Sequence, residues 1–391
     1  MKITAKRLKL ALRSPSHFIW AARHVLRSSF LGALERRLPG GRAFKPDLFI
    51  INITSRCNLR CAMCMQPREA DGGGESPALG RRSEELSPED WMRVVDQAAD
   101  ARPAFYFSGG EPLLYQGLLP LLRHIKRKGL IAAIVTNGML LERHAKELVE
   151  IGLDNATISL DGPEEVHDRI RGVPGAFRRA SRGIQALREA RLQAGSEYPK
   201  LKVNCVILPE NLDHLVEMRQ IAREMGVEEL NFQHPMFDTA ENIGLHNRVF
   251  AKAMGSAAIE NTDLAKGPGE YFETLFTEEQ FQRIEAALDT VLGDKGRLPH
   301  VMLFPSVSRA RWREYYLNLG HAFKKECGAP WTTMRLLADG VFEPCLRWRV
   351  GNVRETPIWD LWNHQRARDF RVELRRSGLF PACARCCYRR Y

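Results

Sequence analysis

Phe49-Ile50-Ile51-Asn52-Ile53, followed by Cys57-Asn58-Leu59-Arg60-Cys61-Ala62-Met63-Cys64, is the stretch from which the rest of this chain can be read. The first run is apolar and β-branched, as in a buried strand. The second puts three cysteines, separated by three residues and then two, on one tight loop at the strand's end. Three thiolates so placed can hold three corners of a [4Fe-4S] cluster and leave the fourth iron open to a small molecule. The same thiols also suit zinc, a metal that Cys-x-x-Cys commonly binds inside cells.

Outward from that loop the pattern repeats. Short β-branched or aromatic runs at 49–54, 104–108, 130–136, 155–160, 201–208 and 229–234 alternate with amphipathic stretches near 87–101, 116–128, 140–151, 175–193 and 211–225. Alternation of this kind predicts parallel strands joined by crossover helices. Ser87-Pro88-Glu89-Asp90 has the hydroxyl cap, early proline and acids of a helix start. Gly129, Gly152 and Gly226 stand where helices should close. The fold class expected is α/β, a partial (β/α)6 TIM-like barrel with a small cysteine-rich C-terminal domain.

Polar motifs follow the ends of successive strands: the cysteines after the first, Ser108-Gly109-Gly110-Glu111-Pro112 after the second, Thr136-Asn137-Gly138 after the third, Ser159-Leu160-Asp161-Gly162 after the fourth. Loops at that edge are where such barrels place their sites. The glycine pair lets backbone approach a ligand closely, and Glu111 offers a carboxylate to an ammonium group. Thr136, Asn137, Ser159 and Asp161 read equally as ligand contacts or as local caps. Asn204 and Gln233 are placed to face the barrel interior, while Cys205 reads as a buried core cysteine.

A second cysteine set, Cys327, Cys345, Cys383, Cys386 and Cys387, occupies the last seventy residues. Four of these thiolates would ligate one further [4Fe-4S] cluster completely. Asp339-Gly340 suits the tight turn that brings the first two together. A structural zinc knot is the alternative. Whether Cys386 or Cys387 is the fourth ligand stays open from spacing alone.

Charge is uneven. The formal net charge is +11, and residues 1–45 hold eleven basic residues against the single acid Glu35. In that segment Phe18, Ala22, Val25, Leu26 and Phe30 recur at helical spacing, with Ile19 and Trp20 beside them. The segment reads either as a basic amphipathic helix for an anionic membrane surface or as a helix packed on the body of the protein. No apolar run reaches membrane-spanning length, and Arg13, His17, Arg23 and Arg27 interrupt any signal-peptide core. A cytoplasmic location is expected, with peripheral contact to the inner membrane face through residues 1–45. No nucleic-acid motif accompanies the charge. Glycine-rich residues 68–86 read as a mobile lengthening of the first crossover.

The loop spacing, the Gly109-Gly110-Glu111-Pro112 segment and the strand-end motifs together resemble the radical SAM superfamily. The flanks Cys327-Gly328-Ala329-Pro330-Trp331, Asp339-Gly340-Val341-Phe342-Glu343-Pro344-Cys345 and Cys383-Ala384-Arg385-Cys386 resemble the auxiliary-cluster domain called SPASM, and its shortened Twitch form more closely, since the seven cysteines of the full domain are not all present. The resemblance covers residues 46–235 as a radical SAM core and 321–391 as an auxiliary domain; it says nothing of the 1–45 basic extension or of 236–320, which reads from its own pattern as a helical insert joining the two. It implies that Cys57, Cys61 and Cys64 hold a cluster that reductively cleaves S-adenosylmethionine to a 5′-deoxyadenosyl radical. In that family Gly109, Gly110, Glu111, Pro112, Thr136, Asn137, Ser159, Asp161 and Arg171 would contact the S-adenosylmethionine, with Arg171 reaching its carboxylate and Met63 near the adenine. Cys327, Cys345, Cys383 and Cys386 would hold the auxiliary cluster. A reducing partner such as flavodoxin or ferredoxin is implied. The expected substrate is a small, glycan or lipid-linked molecule; a ribosomally made peptide is the alternative, and a non-enzymatic iron–sulfur or zinc scaffold the rival from another class. Glu343, His234 and Asp238 stand unranked as general acids or bases.

Overall fold

A computed structural model describes residues 20, 22, 25–27, 31–64, 84–236, 239–255, 276–294, 296, 298–318, 326–345 and 348–386. Cys387, Asp238, Gly72–Gly74 and most of residues 1–24 lie outside these, so the readings placed on them are not addressed by the structure.

One sheet organises the described residues. Strands β1 (Leu48–Thr54), β2 (Ala104–Gly109), β3 (Ile131–Thr136), β4 (Asn155–Ser159), β5 (Lys200–Val206), β6 (Glu229–Gln233) and β7 (His300–Phe304) lie side by side in that order. All of them are parallel. Helices α1 (Pro88–Ala98), α2 (Leu118–Arg127), α3 (Leu141–Ile151), α4 (Glu164–Arg171), α5 (Ala176–Gln193) and α6 (Leu215–Glu224) form the crossovers. Later come α7 (Ala240–Met254), α8 (Glu278–Gly293), α9 (Trp312–Leu317), α10 (Ile358–Trp362) and α11 (Gln365–Ser377). The α/β partial barrel expected from the sequence is the observed architecture.

Local chemistry accounts for the elements. At α1, Asp90 N–H donates to Ser87 Oγ while the Asp90 carboxylate accepts from Ser87 N–H, with Pro88 at the first helical position. This reciprocal cap satisfies amides that the helix cannot. On β1, Phe49, Ile51 and Ile53 are fully buried against the helices, together with Phe105 and Phe107 from β2. The alternate residues face the open concave side, as a two-residue period requires.

Two strands extend the sheet beyond the sequence reading. β7 falls inside 236–320, read as a helical insert, and pairs with β6 from Glu229↔His300 to Gln233↔Phe304. Its exposed positions Met302 and Phe304 are apolar, so the polar–apolar alternation that betrays an edge strand is missing. β8 (Thr333–Leu336) comes from the C-terminal region and pairs in parallel with the far side of β1; β9 (Val341–Phe342) and β10 (Gly351–Asn352) continue antiparallel. The C-terminal region is therefore built onto the same sheet as the barrel.

The N-terminal segment is docked where it is described. Trp20 packs on Leu48, Ala104 and Ile131, the first residues of β1–β3, and its Nε1 donates to the Asp47 carbonyl at 2.7 Å. Buried Arg27 pairs with Glu35 and donates to the carbonyls of Lys45 (2.7 Å), Phe44 (3.1 Å) and Trp331 (2.5 Å). Among the described residues no helix is long and apolar enough to cross a membrane.

Candidate metal centres

The first cysteine loop leaves β1 at Thr54 and is fastened on three sides. Glu85 accepts from Thr54 Oγ1 (2.7 Å) and Ser55 N (2.9 Å) and faces Arg56 at 3.4 Å. Gly110 N donates to Thr54 O and Glu111 N to Arg56 O. Arg60 N and Ala62 N donate to the carbonyls of Arg171 and Ile170 at the end of α4. The glycines are needed for this closeness: a Cβ on Gly110 would stand 2.0 Å from Arg56 O, and Gly109, at φ +126°, would place one 2.5 Å from Thr54 O. Met63 packs against Val166, Ile170 and Leu208.

Glu111 turns inward rather than toward a ligand. It is wholly buried; one oxygen accepts from Thr136 Oγ1 (2.8 Å) and Leu113 N (3.0 Å), the other from Asn137 N (2.8 Å). Burial raises its carboxyl above the usual range, with those three donors opposing. Its side chain therefore ties the β2 loop to the β3 loop, and what remains for an ammonium group there is backbone. Asn137 Nδ2 donates onward to Asn58 Oδ1 at 2.8 Å, inside the cysteine loop. Pro112 is buried at the start of a short turn, and Ser159 ends β4 half-buried.

Asp161 and Arg171 form a second support. Asp161, wholly buried, lies 2.6 Å from Arg171 Nη2 and accepts from Val206 N at 2.9 Å. Arg171 Nη1 stands 3.6 Å from Cys61 Sγ. Burial works against the arginine's charge, but Asp161 and the Cys61 sulfur more than offset it. His167 Nδ1 accepts from Asp161 N at 3.2 Å, and burial, with Arg171 nearby, lowers its pKa to about 3, so it stays neutral. Asn211 Nδ2 donates to the carbonyls of Asp161 and Val206. In this structure Arg171 meets the cysteine loop directly.

Burial pushes the Cys57 thiol up to about 11, against the Leu59 N–H and with Cys61, Glu111 and Cys64 adding to the rise. A thiol held so high becomes a thiolate when a cation binds it, as iron ligation requires.

The second set converges from four places in the chain. Cys327, Cys345, Cys383 and Cys386 line one cavity, walled otherwise by Ile50 of β1, Thr333 and Arg335 of β8, and Pro330, Pro344 and Leu374. Arg335 forms an ion pair with Glu343, both nearly buried. All eight described cysteines are thiols, Cys205 deep in the core. Among the described residues no three His, Cys, Asp or Glu side chains are gathered as a single-ion site. What the fold supplies is thiol chemistry alone, three on one loop and four around one apolar-walled cavity, a donor set suited to iron–sulfur clusters.

Further along the sheet, β5 and β6 carry a run of polar side chains. Asn231 Nδ2 donates to Asn204 Oδ1 (2.5 Å), Asn204 Nδ2 to Gln233 Oε1 (2.9 Å) and Ser108 Oγ to Asn52 Oδ1 (3.1 Å). Lys202 pairs with Glu229 at 3.1 Å. His234 points the other way, into the core, with Nδ1 2.6 Å from Tyr316 Oη.

Sequence reading missed Glu85, Asn58, His167 and Asn211. Each is a lone polar residue whose partner lies on another element; only Asn58, inside the cysteine loop, had a local signal.

Comparison with known proteins agrees with this chemistry. A family model described as the radical SAM superfamily matches residues 51–222, and one described as an iron-sulfur cluster-binding domain, SPASM, matches 327–387. The Fe-coproporphyrin III synthase of Methanosarcina barkeri is 35% identical over 182 residues, 46% of this chain and 43% of that protein. The PqqA peptide cyclase of Granulibacter bethesdensis is 31% identical over 184 residues, 46% and 45% respectively. The chain thus spans less than half the length of either relative. Among solved structures, Streptococcus suis SuiB bound to precursor peptide SuiA superposes with a TM-score of 0.58 at 16% identity, covering 91% of this chain and 75% of that one; at such identity the likeness is one of fold.

Proposed function

The chain belongs to the radical SAM superfamily and carries a SPASM-type iron–sulfur domain, and on that premise we propose that it abstracts hydrogen from a neutral, hydrogen-bonding substrate of the glycan or peptide kind held on the concave face. The observation that carries this reading is the carboxamide run Asn231, Asn204 and Gln233. Each carboxamide keeps donor and acceptor capacity beyond these bonds, the chemistry that reads amides and hydroxyls. The β-strand cations on that side among the described residues include Lys200, Lys202 and Arg335, and each of these three is paired with a carboxylate. A polycarboxylate such as an iron coproporphyrin would have to break one of those pairs.

When bound, the cluster of Cys57, Cys61 and Cys64 supplies the electron that cleaves S-adenosylmethionine to the hydrogen-abstracting radical. The protein's own work is placement. Gly109 and Gly110 bring bare backbone alongside the cysteine loop, and Asp161 holds Arg171 against Cys61. Trp20 covers the first residues of β1–β3. Cys327, Cys345, Cys383 and Cys386 would set a second cluster beside β1 and β8. A flavodoxin or ferredoxin would serve as reductant.

The test is deuterium transfer. The reconstituted protein, incubated with S-adenosylmethionine and perdeuterated sugars, peptides or coproporphyrin, is expected to pass label into 5′-deoxyadenosine from a sugar or a peptide. Transfer from the tetrapyrrole alone would overturn the substrate reading; absence of S-adenosylmethionine cleavage would overturn the activity.

A further inference from the structure

A second cavity opens beside the auxiliary cysteines, and its rim is basic. It is lined by Arg36, Arg37, Glu326, Cys327, Trp331, Leu374 and Arg375. Cys327 thus lines both cavities, so this opening leads from the protein surface to one thiol of the auxiliary set.

The rim is held in place. Arg375 Nη1 donates to the Arg36 carbonyl at 3.0 Å, joining the end of α11 to the N-terminal segment, and Arg36 lies 3.2 Å from Glu326. Arg37 and Arg375 are exposed, and Glu326 is the one acid of the lining. Next to them on the same segment, Leu31 and Leu34 are 37% and 59% exposed. Exposed leucine beside arginines offers a partner both apolar contact and charge.

We propose that this face is the docking surface for an acidic one-electron carrier protein, which would exchange electrons with the auxiliary cluster through Cys327. The inference rests on the auxiliary-cluster reading above. Charge complementarity selects the partner, since three arginines around one opening attract and orient a carrier whose own redox centre is ringed by carboxylates. Electron-transfer partners typically meet through small, transient interfaces. The arginines act at long range on encounter, so their effect falls as salt rises.

The experiment uses the full, cluster-loaded chain and an acidic flavodoxin reduced to its hydroquinone. Three proteins are compared: wild type, the rim variant R36E/R37E/R375E, and a control carrying R143E/R178E/R182E on α3 and α5. Stopped-flow reduction of the clusters by flavodoxin is expected to slow at least tenfold at low salt in the rim variant alone. The difference should shrink at high salt, and photoreduced deazaflavin, a small reductant that needs no docking, should reduce all three equally. Unchanged flavodoxin rates with intact clusters would overturn the docking surface. So would loss of binding to phosphatidylglycerol vesicles in the rim variant with flavodoxin rates retained, which would make the face a membrane contact. Iron content and low-temperature EPR report the cluster reading separately: wild type lacking auxiliary iron sinks that reading, whatever flavodoxin does. If the charge reversals reduce iron binding, the milder R36Q/R37Q/R375Q set is read by the same criterion, and rates equal to wild type overturn the proposal.

Discussion

The two cysteine centres are built in opposite ways. The first is eight contiguous residues held by buried polar groups: Glu111 with three donors, Asp161 with Arg171, Glu85 at the loop's entrance. The second gathers cysteines spread over sixty residues, and aromatic packing does much of the gathering: Phe250, Trp348, Phe370 and Phe380 form one ring cluster, with Trp362 against Phe342. Arg371 adds hydrogen bonds to the carbonyls of Pro330 and Trp362, both at 2.8 Å. One centre is specified by spacing and stiffened by hydrogen bonds; the other depends on the domain being folded at all.

Removing ligands should separate the two most sharply. Replacing Cys57, Cys61 and Cys64 by alanine is expected to abolish 5′-deoxyadenosine formation and leave the auxiliary iron in place. Cys345→Ala should remove auxiliary iron and substrate turnover while S-adenosylmethionine cleavage persists. Iron counts and nucleoside chromatography check both, and cleavage lost in the second variant would mean the centres are not independent.

The buried ion pairs offer the next contrast. Asp161→Asn leaves Arg171 without its counter-charge and should cost about 3–5 kcal/mol, read from denaturant midpoints. A compensating Arg171→Met should recover little, because Arg171 also meets Cys61. Arg335→Met should cost a similar amount by stranding Glu343. There, however, Glu343→Leu in the same chain should restore stability to within about 1 kcal/mol, since apolar replacements of a buried pair are often neutral or better. Equal recovery at both pairs would break the contrast.

Acid should act at both centres, because buried His246 beside Phe250 and Phe380 is also held neutral with a pKa lowered to about 4, but over a wider pH range at the first. His167 is neutral in the fold, with a pKa lowered to about 3 by burial and by Arg171, whereas an unfolded histidine titrates near 6.5. Between those values only the unfolded chain binds the proton, so the contribution is complete above pH 6.5 and lost as pH falls toward 3. The slope is about 1.4 kcal/mol per pH unit. Between about pH 4 and pH 3 the His167 contribution is still being lost while that of His246 is already spent, so hydrogen-exchange protection should fall in that range around residues 160–171 more than along α11, and the reverse order would count against the assignment.

The legibility of the molecule follows the same division. Strand order through β6, the helix caps and the cysteine triplet were readable because each depends on residues within one strand–helix unit. Glu111 was readable as a site residue but not as an inward one, since its donors Thr136 and Asn137 lie on the next strand's loop. Asn204 and Gln233 were legible as interior by their alternation on β5 and β6.

The sequence by itself determined an α/β barrel with thiols at the end of its first strand and a second thiol set near its C-terminus. Spacing along a chain encodes the geometry of a turn or a single crossover. Only the tertiary structure decided that β7 and β8 extend the sheet on either side, that Arg171 meets Cys61, and that Arg36 and Arg375 share a rim beside Cys327. Those contacts join residues far apart in the chain, and they are set by which apolar faces must be buried together and which polar groups must then find partners.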